Sequence, residues 1–210
     1  MNKVLSVKKI LAGQKLVPVV VLENESQALG LAAALLEGGV TVIEITLRND
    51  FGLQAIEVIK ENFPDMLILA GTITSVESML EAVNAGADGI VSPGLTPALL
   101  QAAQEHGIAY LPGVATASDV VLAMEYGLSE CKLFPATVVG GESALKALGG
   151  PFPNIQFCPT GGINGDNYQD FLKIKNVMCV GGSWLCPEQK IIDEDWDTIS
   201  KLCKIATDAV

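Results

Sequence analysis

Lys132 stands inside the run CKLFPA (131–136), between Cys131, Leu133 and Phe134, at what reads as the end of a buried strand. Lysine is almost never fully buried unless it is paired or has a chemical task. Desolvation disfavours the ammonium, and the neutral amine it leaves can add to a ketone and form a Schiff base. The alternative is a lysine whose stem follows the strand edge while its head reaches water. A second charged residue lies in a similar setting. In VIEITLR (42–48), strand alternation places Val42, Glu44 and Thr46 on one face, so Glu44 is expected to point inward. A buried carboxylate needs a partner or a proton. Glu44 is therefore a candidate general acid/base beside Lys132, with a structural ion pair to Lys132 or Arg48 as the alternative. Arg48 is the single arginine of the chain, and its planar fork suits bidentate capture of a carboxylate.

Other chemistries are excluded by what is missing. The single histidine, His106, falls in the polar stretch AAQEHG (102–107), which rules out histidine triads and His-rich metal sites. No metal and no cofactor is expected. A formal charge of −11 disfavours nucleic acid and anionic membranes as partners. The N-terminal run MNKVLSVKKILAGQK has no long apolar core with a cleavage site, and no apolar run reaches the roughly 18 residues of a membrane span, so a cytoplasmic location is expected. The five cysteines (131, 158, 179, 186 and 203) are odd in number and scattered, with no CxxC, as buried free thiols in a reducing compartment are.

The elements that must position these groups alternate regularly. Strand candidates are 17–22, 40–45, 66–71, 89–92, 108–112, 131–134, 155–159 and 177–182. Helix candidates lie near 25–37, 52–62, 75–85, 96–106, 117–126, 141–148 and 166–173, with a closing helix at 195–208. Glycines in EGGV (37–40), NAGADG (84–89), EHGI (105–108) and EYGL (125–128) fall where left-handed helix ends are wanted. The length of 210 residues suits one domain spanning 1–210. The pattern predicts a (β/α)8 barrel with an extra N-terminal helix over residues 2–12; a doubly wound open sheet is the alternative.

Chemistry in such a barrel gathers at the C-terminal strand ends. Those ends read GTIT (71–74), SPG (92–94), PGVAT (112–116), PTGGIN (159–164) and GGSW (181–184). The last two follow the seventh and eighth strands, where paired glycines can present backbone amides to a phosphate without many cations.

Taken together, EITLR (44–48), GTIT, SPGLT (92–96), PGVAT, KLFPA (132–136), FCPTGGI (157–163) and GGSW resemble the bacterial 2-keto-3-deoxy-6-phosphogluconate (KDPG) aldolases, also called 4-hydroxy-2-oxoglutarate (KHG) aldolases. The resemblance spans essentially the whole chain. It implies a class I lyase that forms a Schiff base through Lys132, with Glu44 moving protons, and that is usually a homotrimer. It further implies that Arg48 and Thr72 hold the pyruvate-end carboxylate and that Pro93 and Phe134 wall the pocket. Thr160 matches a position tied to stereochemical choice, and Gly161, Gly162, Gly182 and Ser183 surround the phosphate. Cys131 and Leu133 depart from the more aromatic setting expected around the lysine. The rival enzymes are a phosphogalactonate aldolase, expected to lack an arginine at position 48, and a phosphate-binding barrel epimerase or synthase, which needs no buried lysine. A metabolite-binding barrel without catalysis would bind pyruvate but form no adduct.

Overall fold

A computed structural model describes residues 5–210, in which short parallel strands alternate with helices along the chain. One helical turn, α1 (Val7–Ile10), precedes β1 (Leu16–Val20), α2 (Glu25–Glu37), β2 (Val42–Thr46), α3 (Gly52–Asn62), β3 (Leu67–Gly71), α4 (Val76–Asn84), β4 (Gly89–Val91) and α5 (Pro97–His106). The chain continues through β5 (Tyr110–Leu111), β6 (Gly113–Val114), α6 (Ala117–Glu125), β7 (Glu130–Leu133), α7 (Gly141–Gly149) and β8 (Gln156–Pro159). It ends with α8 (Tyr168–Leu172), β9 (Val180–Gly182), α9 (Glu188–Ile192) and α10 (Trp196–Thr207).

Local chemistry sets the helix boundaries. Asn24, Ser75, Thr96 and Thr116 each accept the backbone N–H three residues on, so α2, α4, α5 and α6 begin with a satisfied donor. After the same four helices, Gly39, Gly86, Gly107 and Gly127 take positive φ, the conformation expected at those joins.

The strands pair in parallel as a six-stranded sheet, β5-β4-β3-β2-β1-β9, and a three-stranded sheet, β6-β7-β8. Two isolated parallel bridges, Phe157 to Val177 and Thr160 to Gly181, connect the two along β8 and β9. The strand expected at 108–112 is the shorter β5, and a separate strand, β6, forms in its expected exit, the two divided by Pro112, which has no N–H to give to a ladder. The Pro112 carbonyl still accepts the Lys132 N–H at 2.8 Å. The helix expected over 2–12 is the shorter turn α1, with residues 2–4 outside the described range, and α9 has no counterpart in the sequence reading.

Both ends of the fold are tied to its interior. Ser6 Oγ donates to Glu130 Oε1 at 2.5 Å and the Lys8 N–H to Oε2 at 3.0 Å, fixing α1 against the base of β7. At the other end α10 packs on α2, where the indole of Trp196 occupies the space left by Gly30 and Thr207 Oγ1 donates to the Gly38 carbonyl at 3.1 Å.

The strand break carries its own hydrogen-bond cluster. Tyr110, fully buried, donates to Ser92 Oγ at 2.7 Å, Ser92 Oγ donates to the Gly94 carbonyl at 2.5 Å, and the Gly113 N–H reaches Ser92 Oγ at 3.4 Å. Burial pushes the Tyr110 phenol from its ordinary 10.0 up to about 12. The unfolded chain gives up this proton near pH 10 while the native state holds it to about 12, so the stabilisation is complete below pH 10 and lost as pH rises to 12. Chemical denaturation across that window should show about 2–3 kcal/mol of this loss in the wild type and none of it in Tyr110→Phe.

Candidate active site

Alternation along β2 and β7 brings Glu44 and Lys132 face to face. Lys132 Nζ donates to Glu44 Oε1 at 3.0 Å, and both side chains are nearly inaccessible, 6% and 4% exposed. Taking two charges out of water is favourable only where geometry is good and the remaining polar atoms find partners. The Lys132 head also lies 5.2 Å from the centre of the Phe134 ring. Gly71, on the strand next to Glu44, is what leaves room for the carboxylate: a Cβ there would sit 2.5 Å from Glu44 Oε1.

Arg48 and Thr72 meet just past the ends of β2 and β3. Arg48 Nε donates to Thr72 Oγ1 at 3.1 Å, which leaves the terminal guanidinium nitrogens for another acceptor. Thr72 adopts φ 64°, a left-handed conformation that costs a non-glycine residue roughly 1–2 kcal/mol. Strain of this kind is retained where the surroundings hold it in place. The exit of β2 is anchored further by Thr46 Oγ1 on the Val20 carbonyl at 2.9 Å and Asn49 Nδ2 on the Leu22 carbonyl at 2.8 Å.

Thr160 follows β8 and is buried, its N–H on the Leu133 carbonyl at 3.0 Å and its carbonyl taking the Ala136 N–H at 2.8 Å. Gly161 and Gly162 follow at φ 96° and 79°, conformations that strain any side chain. Their carbonyls are engaged by the Thr137 N–H at 3.1 Å and by Asn167 Nδ2 at 2.9 Å. Among the described residues the Gly162 N–H has no protein acceptor. A free amide in such a glycine turn helps form an anion-binding concavity.

Pro93 lies exposed past β4, with the Gly113 backbone so close that any side chain at 113 would run into the Pro93 carbonyl. Gly113 is in turn the strand partner of Lys132. Gly182 closes β9, and Ser183 follows it exposed. Ser183 and Arg48 both line a cavity of about 270 Å³, together with Thr46, Gln27 and Cys186. Lys132, Glu44 and the 160–162 loop stand outside its lining.

Glu23 and Gln27 on the cavity wall escaped the sequence reading because the start of an amphipathic helix carries no mark of a site. Cys158 was read only as a buried thiol. Its strand partner is Lys132, and their shared face follows from the alternation that picked out Glu44. All five cysteines are free and buried, as expected. No cluster of metal-ligating side chains occurs among the described residues, nor a helix long and apolar enough to cross a membrane.

The 2-dehydro-3-deoxy-phosphogluconate aldolase of Dickeya dadantii is 46% identical over 201 residues, 96% of this chain and 94% of the relative. The KHG/KDPG aldolase of Escherichia coli K12 is 44% identical over 203 residues, 97% of this chain and 95% of the relative. A crystal structure of the KDPG aldolase from Legionella pneumophila, with pyruvate captured at low pH as a covalent carbinolamine intermediate, aligns with a TM-score of 0.92 at 42% identity, covering 94% of this chain and 96% of the other. A family model, described as KDPG and KHG aldolase, matches residues 7–202, and the chain belongs to that family.

Proposed function

We propose that this protein is a class I aldolase that cleaves 2-keto-3-deoxy-6-phosphogluconate to pyruvate and glyceraldehyde 3-phosphate, and 4-hydroxy-2-oxoglutarate to pyruvate and glyoxylate. The observation that carries this reading is the buried contact of 3.0 Å between Lys132 Nζ and Glu44 Oε1. The carbinolamine on pyruvate in the Legionella relative supports the same chemistry.

In this reading the Lys132 amine adds to the C2 ketone, and loss of water leaves a protonated imine that serves as an electron sink. Glu44 relays the protons of carbinolamine formation and takes the C4 hydroxyl proton as the C3–C4 bond breaks. The C3 carbon keeps the electron pair as an enamine, is then protonated, and water releases pyruvate from Lys132. Arg48 and Thr72 hold the substrate carboxylate, Pro93 and Phe134 wall the reacting carbons, and Thr160 sits beside the C4 hydroxyl. Gly161, Gly162, Gly182 and Ser183 receive the phosphate. No residue set for a metal is needed.

Two finer points belong to the same reading. The two parallel sheets, bridged along β8 and β9 and separated only at Pro112, are best described as one closed eight-stranded barrel forming a single domain over 1–210. A homotrimer in the cytoplasm fits the exposed apolar side chains of Val121, Met124 and Val138 and the five free thiols.

The test is borohydride reduction with pyruvate present, followed by peptide mapping. A pyruvate-sized adduct on Lys132 is expected, and no adduct, or adducts scattered over surface lysines, would sink the aldolase reading. The arginine makes a separate prediction. Arg48→Lys keeps the charge but loses the fork that can hold Thr72 and a carboxylate together. KM for keto acid substrates should rise about tenfold or more with a smaller change in kcat, which steady-state kinetics will read.

A further inference from the structure

One buried side chain on the cavity wall carries a donor with nothing to receive it. Gln27 is 6% exposed and lines the cavity shared with Arg48 and Ser183. Its Oε1 accepts the Glu23 N–H at 2.9 Å, which assigns the amide: the oxygen faces the chain entering α2, and the NH2 group is turned the other way. Among the described residues Nε2 has no acceptor, and the one fully enclosed side-chain atom without a partner is Asn49 Oδ1, so Gln27 Nε2 opens on the cavity.

Capping accounts for only half of this side chain. A glutamate in its place would take the Glu23 N–H equally well and would suit the positive end of α2 better. The amide adds a donor that the helix start does not use, and a buried donor left unpaired is destabilising.

The sheet order places this donor. Strands β9, β1 and β2 are neighbours, so Ser183 past β9, Gln27 past β1 and Arg48 past β2 follow one another around the cavity. In the aldolase reading Arg48 takes the C1 carboxylate and Ser183 the C6 phosphate, and a substrate joining them runs past Gln27. Thr160 already serves the oxygen on C4, which leaves the oxygen on C5. Glu23 and Glu188, both exposed, line the same cavity. A hydroxyl can accept from Nε2 and give its own proton to a carboxylate, whereas an anionic oxygen there meets two like charges.

We propose that Gln27 is a specificity-determining residue that donates from Nε2 to the hydroxyl on C5 of the substrate, with Glu23 accepting the hydroxyl proton. This rests on the aldolase reading above. The site thereby favours 2-keto-3-deoxy acids with a hydroxylated chain beyond C4 over 4-hydroxy-2-oxoglutarate, which carries a carboxylate at C5.

The experiment condenses pyruvate with glyceraldehyde 3-phosphate, whose C2 hydroxyl becomes the one on C5, and with 3-oxopropyl phosphate, which lacks it, and takes the ratio of kcat/KM for the two aldehydes. In Gln27→Leu this ratio should fall about fivefold or more, the factor an ordinary hydrogen bond supplies. A purely structural part in starting α2 would lower both rates alike, so an unchanged ratio overturns the proposal. Glu23→Gln changes an exposed side chain and decides the matter should Gln27→Leu fail to fold. Its kcat/KM for glyoxylate relative to glyceraldehyde 3-phosphate should rise about twofold or more as one repelling charge is lost, and no rise overturns the proposal. Borohydride trapping of the wild type with pyruvate separates the two levels: an adduct on Lys132 with unchanged ratios refutes the C5 contact alone, and no adduct refutes the aldolase reading and this proposal with it.

Discussion

Lys132→Ala will form no borohydride-stable adduct with pyruvate and will cleave its substrate about 10⁴-fold more slowly or worse, because a covalent route that divides one hard step into two is closed. The change also has a structural side. Glu44 is 3% exposed and loses its cation, and breaking a buried pair costs about 3–5 kcal/mol unless the carboxylate takes up a proton. Kinetics must therefore be paired with a denaturation curve. Lys132→Met serves as the control, since it fills the same apolar space and leaves Glu44 equally unpaired. Both variants should be inactive whatever their stability. Turnover within tenfold of wild type in a folded variant would remove Lys132 from the mechanism.

Glu44→Gln should fall into a different class. The amide keeps the shape of the carboxylate and can still accept a hydrogen bond from Lys132 Nζ, now 3.0 Å from Oε1, but it cannot carry a proton. Loss of a positioned acid/base costs about 10²–10⁴-fold in rate. Single-turnover experiments should show adduct formation on Lys132 slowed but not abolished, and C3–C4 cleavage slowed with it. A variant that forms the adduct at the wild-type rate and cleaves normally would reduce Glu44 to a structural counter-ion. A variant that never forms it, though folded, would show that the carboxylate acts chiefly on the lysine.

How far the chain could be read depended on the scale of the signal. Lys132 and Glu44 were legible because strand alternation is rigid: once VIEIT and CKLF are strands, the facing of their polar residues follows. The helix candidate 25–37 coincides with α2, where the Asn24 cap marks the start, and 52–62 with α3, where periodicity alone marks the element. Arg48 and Thr72 were harder. They lie beyond their strands, where alternation no longer holds, and Thr72 takes a backbone conformation that threonine rarely adopts. Their contact could be anticipated only from family resemblance. The break at Pro112 was written in the sequence, yet β5 and β6 are two residues each, too short for a period to register. Helix α9, five residues long, was lost for the same reason.

The carboxylate of Glu44 occupies space that exists only because position 71 has no side chain. Tolerance to change in this enzyme is therefore not ranked by chemical interest. An exposed residue such as Pro93 can be varied while the fold persists. A single methyl group added at Gly71 displaces the Glu44 carboxylate without removing any polar atom. Libraries built to broaden substrate range should hold that glycine constant, and lineages that drift there will lose activity while keeping every polar residue of the site.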